Sequence, residues 1–201
     1  MSERQMKLKV CGLRDNLAEV VKEIEPDMIG LIFYEKSPRY VADLQPDQLP
    51  ANVERVGVFV NAEYEFIKSK INEYQLDYVQ LHGDETRALC SQLQAHAKVI
   101  KVFSGNGEID KSQLKAYESS IDYYLFDTRD KQQYGGTGNT FDWEKLSTLN
   151  LDKPIILSGG VSLENIEEVR QLEGVDIYAI DVNSKFEDAP GLKNIALLKT
   201  L

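Results

Sequence analysis

Residues able to do chemistry fall at a few short stretches of this 201-residue chain. Cys11, in Lys9-Val10-Cys11-Gly12, has two readings: a small buried hydrophobe, or a reactive thiol at the end of a strand. Cys90 lies among the helically spaced Ala88, Leu89 and Leu93 and reads as core. Asp127 closes the apolar run Tyr123-Tyr124-Leu125-Phe126. A carboxyl so placed is partly desolvated, which favours its protonated form and suits a general acid. Arg39, in Ser37-Pro38-Arg39-Tyr40, offers a planar fork to a carboxylate or phosphate, or else pairs with an acid at the surface. His82, in Gln80-Leu81-His82-Gly83, suits hydrogen bonding to substrate, acid–base work or a structural bond to a neighbouring loop. His96 lies in a helix-to-strand connection and reads as exposed.

An anion-binding reading attaches to Pro154-Ile155-Ile156-Leu157-Ser158-Gly159-Gly160. A short apolar run stops at two glycines, and Ser162 then caps a helix carrying Ile166 and Val169. Glycine lets backbone approach a ligand, and free N–H groups at a helix start attract anions; the same pattern also serves as a plain tight turn. Asn183 and Ser184, after Asp181-Val182, add donors, and Lys185 adds charge or points to solvent. Tyr134-Gly135-Gly136-Thr137-Gly138 reads as a flexible loop able to close over a ligand, without the Gly-Lys-Ser/Thr end of a nucleotide P-loop. Asp142 caps a helix start, and Trp143 packs.

The elements that must position these groups are eight short apolar runs, each followed by a segment of helical period. They are Leu8–Cys11, Met28–Phe33, Val56–Val60, Tyr78–Leu81, Val99–Phe103, Tyr123–Phe126, Ile155–Leu157 and Ile177–Ile180. Spacings of roughly 20 to 30 residues leave room for one crossover helix each, which makes the sheet parallel. Eight such units in this length favour an α/β fold, a single closed (β/α)8 barrel over residues 1–201, against an open doubly wound sheet. In such a barrel the loops after the strands converge on one mouth. Those positions carry the polar residues named above, and the opposite strand ends look like scaffold. That asymmetry indicates an enzyme.

A net charge of −10 argues against nucleic acid and anionic membrane as partners, yet allows a small anionic ligand at a local cradle. Met1–Met6 is polar, no run has spanning length, and the cysteines form neither a metal spacing nor a disulfide framework. A cytoplasmic protein is expected.

These pieces, in order, resemble the phosphoribosylanthranilate isomerase family of tryptophan biosynthesis. The matching stretches are Lys9–Gly12, Phe33-Tyr34 with Ser37–Tyr40, Arg55–Asn61, Val79–Gly83, Phe126–Thr128, Tyr134–Gly138 through Trp143, Leu157–Gly160 and Asp181–Ser184 to Pro190-Gly191. Two departures are Lys185-Phe186, where Gly-Val is expected between Ser and Glu, and Asn194, where Asp is expected after Lys. The resemblance implies a TIM barrel that isomerises N-(5-phosphoribosyl)anthranilate to 1-(2-carboxyphenylamino)-1-deoxyribulose 5-phosphate by an Amadori rearrangement, with neither metal nor cofactor. It implies Cys11 as general base and Asp127 as general acid. Arg39 would bind the anthranilate carboxylate, and Gly159, Gly160, Asn183 and Ser184 the phosphate. His82 and Asp181 would contact substrate hydroxyls. The expected partner is a small phosphorylated substrate, and the chain a monomer or homodimer. Other phosphate-binding barrels fit less well: no N-terminal extension of a synthase and no aspartate-centred half-repeat are seen. A purely binding barrel would not need both Cys11 and Asp127.

Overall fold

A computed structural model of the protein describes residues 6–106, 108–128 and 142–201. Eight parallel strands, β1 (Lys7–Cys11), β2 (Met28–Ile32), β3 (Glu54–Phe59), β4 (Tyr78–Leu81), β5 (Lys98–Ser104), β6 (Tyr123–Asp127), β7 (Ile155–Leu157) and β8 (Ile177–Val182), close into a barrel in sequence order. Closure is made by β1 against β8, with Lys9 opposite Asp181. Each strand lies within two residues of its expected run, because runs buried on both faces lack the polar alternation that would blur their ends.

Side chains alternate between two layers. Inward-facing Met28, Val56, Tyr78, Ile100, Leu125 and Ile156 fill the barrel. Outward-facing Val10, Ile29, Leu31, Val79, Leu81, Tyr124, Phe126 and Val182 pack under the helices. Below the filled core, Tyr78 and Tyr178 hydroxyls meet at 3.1 Å, and Lys7 Nζ donates to Glu54 at 2.6 Å, so the floor is plugged by side chains.

The helices are α1 (Leu17–Ile24), α2 (Tyr64–Tyr74), α3 (Arg87–Leu93), α4 (Lys111–Tyr117), α5 (Ile166–Arg170) and α6 (Ile195–Leu198). Caps fix several starts: Thr86 Oγ1 accepts from the Leu89 N–H at 3.3 Å, and Asp110 from those of Ser112 and Gln113. In two of the connections the described residues form 3₁₀ structure rather than the expected α-helix. Between β2 and β3 only the 3₁₀ turn Pro46–Gln48 forms, in a segment where Pro38, Pro46 and Pro50 each remove a backbone donor. Between β6 and β7 the described residues hold a 3₁₀ run, Trp143–Thr148. Asp142 caps that run through the Glu144 N–H at 3.2 Å, and Trp143 is buried, as expected. Ser162 accepts from the Glu164 N–H, but the α-helix begins only at Ile166. After β8, a 3₁₀ turn (Ser184–Phe186) leads into an antiparallel pair, β9 (Glu187–Ala189) and β10 (Leu192–Lys193). The expected glycine-rich closing loop, Tyr134–Gly138, lies outside the described residues.

Candidate active site

At the C-terminal mouth of the barrel lies one cavity of about 500 Å³, lined by Cys11, Arg39, His82, Asp127, Gly159, Gly160, Asp181, Asn183 and Ser184. Every candidate residue expected from the sequence therefore meets the same space. The strands bring them there from different parts of the chain because their inward-facing ends converge.

One wall is built by β1 and β8. Lys9 and Cys11 are two residues apart, so both point inward, Lys9 one pleat below the thiol. Cys11 is 4 % exposed, and a Cβ on the neighbouring Gly30 would fall 2.6 Å from its Sγ; glycine there makes room for the thiol. Lys9 is 0 % exposed, and its Nζ donates to Asp181 Oδ1 at 2.7 Å. Burial pushes the Cys11 thiol above its ordinary value; Lys9 opposes this, Asp181 reinforces it, and Lys193 opposes it. Burial likewise works against the Lys9 ammonium, but Asp181 and then Cys11 hold its pKa above the ordinary lysine value.

The opposite wall is built by β4 and β6. His82 Nε2 lies 3.3 Å from Asp127 Oδ2, close but off the line of a hydrogen bond. Its Nδ1 faces the Gln80 amide nitrogen at 3.1 Å; with that amide donating, the ring proton sits on Nε2, towards Asp127. The turn carrying His82 is stapled from behind. Buried Lys101 donates to the carbonyls of Leu81 and Gly83 at 3.2 and 2.9 Å and to Glu85 at 3.1 Å. Glu85 in turn accepts from the Gly83 and Asn61 N–H groups.

Arg39, also in the cavity lining, is held by Glu187, which takes its Nε at 3.0 Å and one terminal nitrogen at 2.7 Å. No hydrogen bond from the other terminal nitrogen is made among the described residues, so that edge of the fork is available to an anion. Lys193, wholly buried, donates to Glu187 at 2.6 Å and to Asn183 Oδ1 at 2.7 Å. It thereby ties the arginine arm to Asn183, and a Cβ on Gly12 would meet both Arg39 and Asn183 at 2.7 Å. Because Lys193 occupies the Asn183 carbonyl, the Asn183 amide N–H groups are left to donate elsewhere. Burial pushes the Glu187 carboxyl up, but the Arg39 fork and Lys193 overcome it and hold the group below its ordinary value.

Gly159 and Gly160 both adopt positive φ, +79° and +84°, turning consecutive backbone groups along the cavity edge beside Ser184. A Cβ on Gly159 would come within 2.6 Å of the Thr128 nitrogen, so this turn packs directly on the end of β6. Lys36 and Lys185 also line the cavity, without an ion-pair partner among the described residues. Cys90 is buried core and His96 is exposed, bonded to the Tyr64 hydroxyl at 2.8 Å, both as expected.

Sequence reasoning missed Lys9, Glu187 and Lys193 as parts of the site. A signal for Lys9 was present: Lys7-Leu8-Lys9-Val10-Cys11 alternates, which marks its odd positions as one polar face. Glu187 and Lys193 carried no local signal, because their partners lie across the fold.

The family model for N-(5'-phosphoribosyl)anthranilate isomerase matches residues 8–201. The isomerase of Parabacteroides distasonis is 42 % identical, over 96 % of this chain and 90 % of that one. The crystal structure of phosphoribosyl anthranilate isomerase from Thermotoga maritima superposes with a TM-score of 0.83 at 32 % identity, covering 97 % of this chain and 96 % of that one. A phosphoribosyl anthranilate isomerase in complex with reduced 1-(o-carboxyphenylamino)-1-deoxyribulose 5-phosphate superposes at 0.78, with 31 % identity over 97 % of this chain and 95 % of that one. A closed parallel barrel, a mouth bearing all the expected groups and a match from β1 to the last residue agree: the chain belongs to the N-(5'-phosphoribosyl)anthranilate isomerase family.

Proposed function

We propose that the isomerisation is carried by Cys11 and Asp127, acting as base and acid on a substrate stretched between Arg39 and the Gly159–Gly160 turn. The observation that carries this reading is that a thiol and a carboxyl face one cavity from β1 and β6, and that the same cavity is lined by a guanidinium and a glycine turn.

The free edge of Arg39 takes the anthranilate carboxylate, while Gly159, Gly160, Asn183 and Ser184 take the phosphate. Holding both anions fixes the ribose between the two walls, and much of the rate gain comes from that orientation. Asp127 donates its proton to the ring oxygen. The C1–O bond breaks as the anilino nitrogen lone pair forms the C1=N bond, giving an open-chain iminium. The Cys11 thiolate then removes the proton from C2, and that electron pair neutralises the iminium nitrogen as an enolamine. Tautomerisation to the aminoketone moves one proton from the C2 hydroxyl to C1. One proton has left Asp127 and one has joined Cys11, so resetting the site returns a proton from thiol to carboxylate. His82 and Asp181 flank the path, His82 beside Asp127, and contact the sugar hydroxyls. The reading places the enzyme among soluble cytoplasmic proteins; no helix of the described residues is long and apolar enough to cross a membrane.

The test is a fluorescence assay in which anthranilate and phosphoribosyl pyrophosphate, with the upstream transferase, generate the unstable substrate in place. Wild-type protein accelerates its disappearance. Asp127→Asn and Cys11→Ser each abolish that acceleration while a reduced product analogue still binds; substantial turnover by either variant removes that residue from its role.

A further inference from the structure

The mechanism above asks a buried thiol to act as a base, although burial disfavours its charged form. A counter-charge is needed, and the interior of the barrel holds one that the mechanism has not used. We propose that Lys9 is a positioning residue that supplies the counter-charge letting the buried Cys11 ionise, with Asp181 holding that ammonium in place. This rests on the assignment of Cys11 as the base.

Three observations support it. First, the location is costly. Lys9 is fully buried at the level where the other strands contribute Met28, Val56, Ile100 and Ile156, and an apolar side chain would fill that volume without the desolvation penalty of an ammonium. Second, its neighbours are few. The ammonium has three donors; one goes to Asp181 Oδ1 at 2.7 Å, and the Cys11 thiol is the other acidic group beside it. Third, the placement follows from the backbone. Alternation puts Lys9 and Cys11 on the same inward face, and the β1–β8 register sets Lys9 directly opposite Asp181. A one-residue slip of either strand would dissolve the trio.

The charged groups facing Cys11 can be named from each side. Lys9 lies on its own strand, Asp181 on β8 and Lys193 on β10, with His82 and Asp127 on the far wall. Lys193 and Arg39 share the single carboxylate of Glu187, and the positive charge left over also favours the Cys11 thiolate, with Lys193 acting on the thiol less strongly than Lys9. Lys9 is the cation on the thiol's own strand face, placed between the Asp181 carboxylate and the thiol, and the stronger of the two lysines acting on it. When Cys11 loses its proton, the ammonium shifts its weight from Asp181 towards the sulfur. No proton leaves Lys9, which stays cationic throughout.

The experiment measures the pH dependence of Cys11 alkylation by iodoacetamide in the full chain, read by peptide mass mapping so that Cys90 is scored separately. The alkylation midpoint reports the thiolate directly. Lys9→Met should raise the midpoint by at least about one pH unit, so that alkylation near neutrality slows about tenfold. Lys9→Arg should keep most of the wild-type midpoint, because it restores the charge. Asp181→Asn should move the midpoint the opposite way, downwards, since it removes a negative neighbour and frees the ammonium. A merely structural lysine predicts none of these opposed shifts. Should Lys9→Met fail to fold with Asp181 unpaired, the double variant Lys9→Met/Asp181→Asn removes both charges. Its midpoint should then lie well above that of Asp181→Asn alone. A folded Lys9→Met, or the double variant, with no upward shift relative to its reference overturns the proposal, as does an upward shift in Asp181→Asn. The two readings fail separately. An active Cys11→Ser would remove Cys11 as the base and leave the alkylation result standing. An inactive Cys11→Ser with unmoved midpoints would remove Lys9 alone.

Discussion

At the scale of single residues, the site works by splitting the donors of each polar group between protein and ligand. Arg39 gives one edge to Glu187 and keeps the other for an anion. Arg39→Ala should therefore raise KM about tenfold or more while moving kcat less, as expected for losing a hydrogen bond between charged groups. Steady-state kinetics on the coupled assay checks this, and an unchanged KM would refute the carboxylate contact. Cys11 sets the pH dependence. Burial raises the free enzyme's thiol above its ordinary value, and a base works only when deprotonated. The value of kcat/KM, measured across pH in the coupled assay, should therefore climb with pH and keep climbing beyond about 8.5, the ordinary thiol pKa; a profile already flat below that value would refute the thiol as the base.

The element scale is where the chain was most legible and also where it misled. Runs such as Tyr78–Leu81 and Ile155–Leu157 coincide with their strands, because a strand buried on both faces is written in consecutive residues. The positions just beyond the strand ends then located the mouth, and with it Cys11, Arg39, His82 and Asp127. The crossover between β2 and β3 was misjudged because a proline-containing segment with a short 3₁₀ turn satisfies the same rough hydrophobic spacing as a helix. The ion pairs that tune the site were not legible at all: Arg39 meets Glu187 across 148 residues, and no window of sequence records such a meeting. The Gly159–Gly160 turn yields a prediction of its own. Gly159→Ala places a Cβ against the Thr128 nitrogen at positive φ, which should cost about 1–3 kcal/mol of stability and weaken inorganic phosphate binding. Denaturant titration and competition of phosphate against substrate would measure both; an alanine variant indistinguishable from wild type would show that the turn tolerates a side chain.

For the whole molecule, Glu187 links acid stability to the architecture of the mouth. Its carboxyl is held below the ordinary value in the folded state, so its contribution to stability is complete above about pH 4.3, the unfolded value, and fades as pH falls through the folded one. Glu187→Gln leaves Lys193 buried without its partner and should cost about 3–5 kcal/mol near neutrality. The gap between the urea midpoints of wild type and variant should narrow as pH drops below about 4. A gap independent of pH would mean that the carboxylate charge is not what stabilises this corner.

The bond from Lys9 to Asp181 spans 172 residues and joins the first strand of the barrel to its last. Contacts that bridge almost the full chain carry a large loop-closure entropy and are expected among the late events of folding. Until β8 docks, Cys11 lies on an open strand edge, accessible and without its charged neighbours. Its protection from a pulse of alkylating reagent during refolding thus acts as a clock for ring closure. The same sulfur that is proposed to take a proton from the substrate also records the moment at which the barrel becomes a barrel.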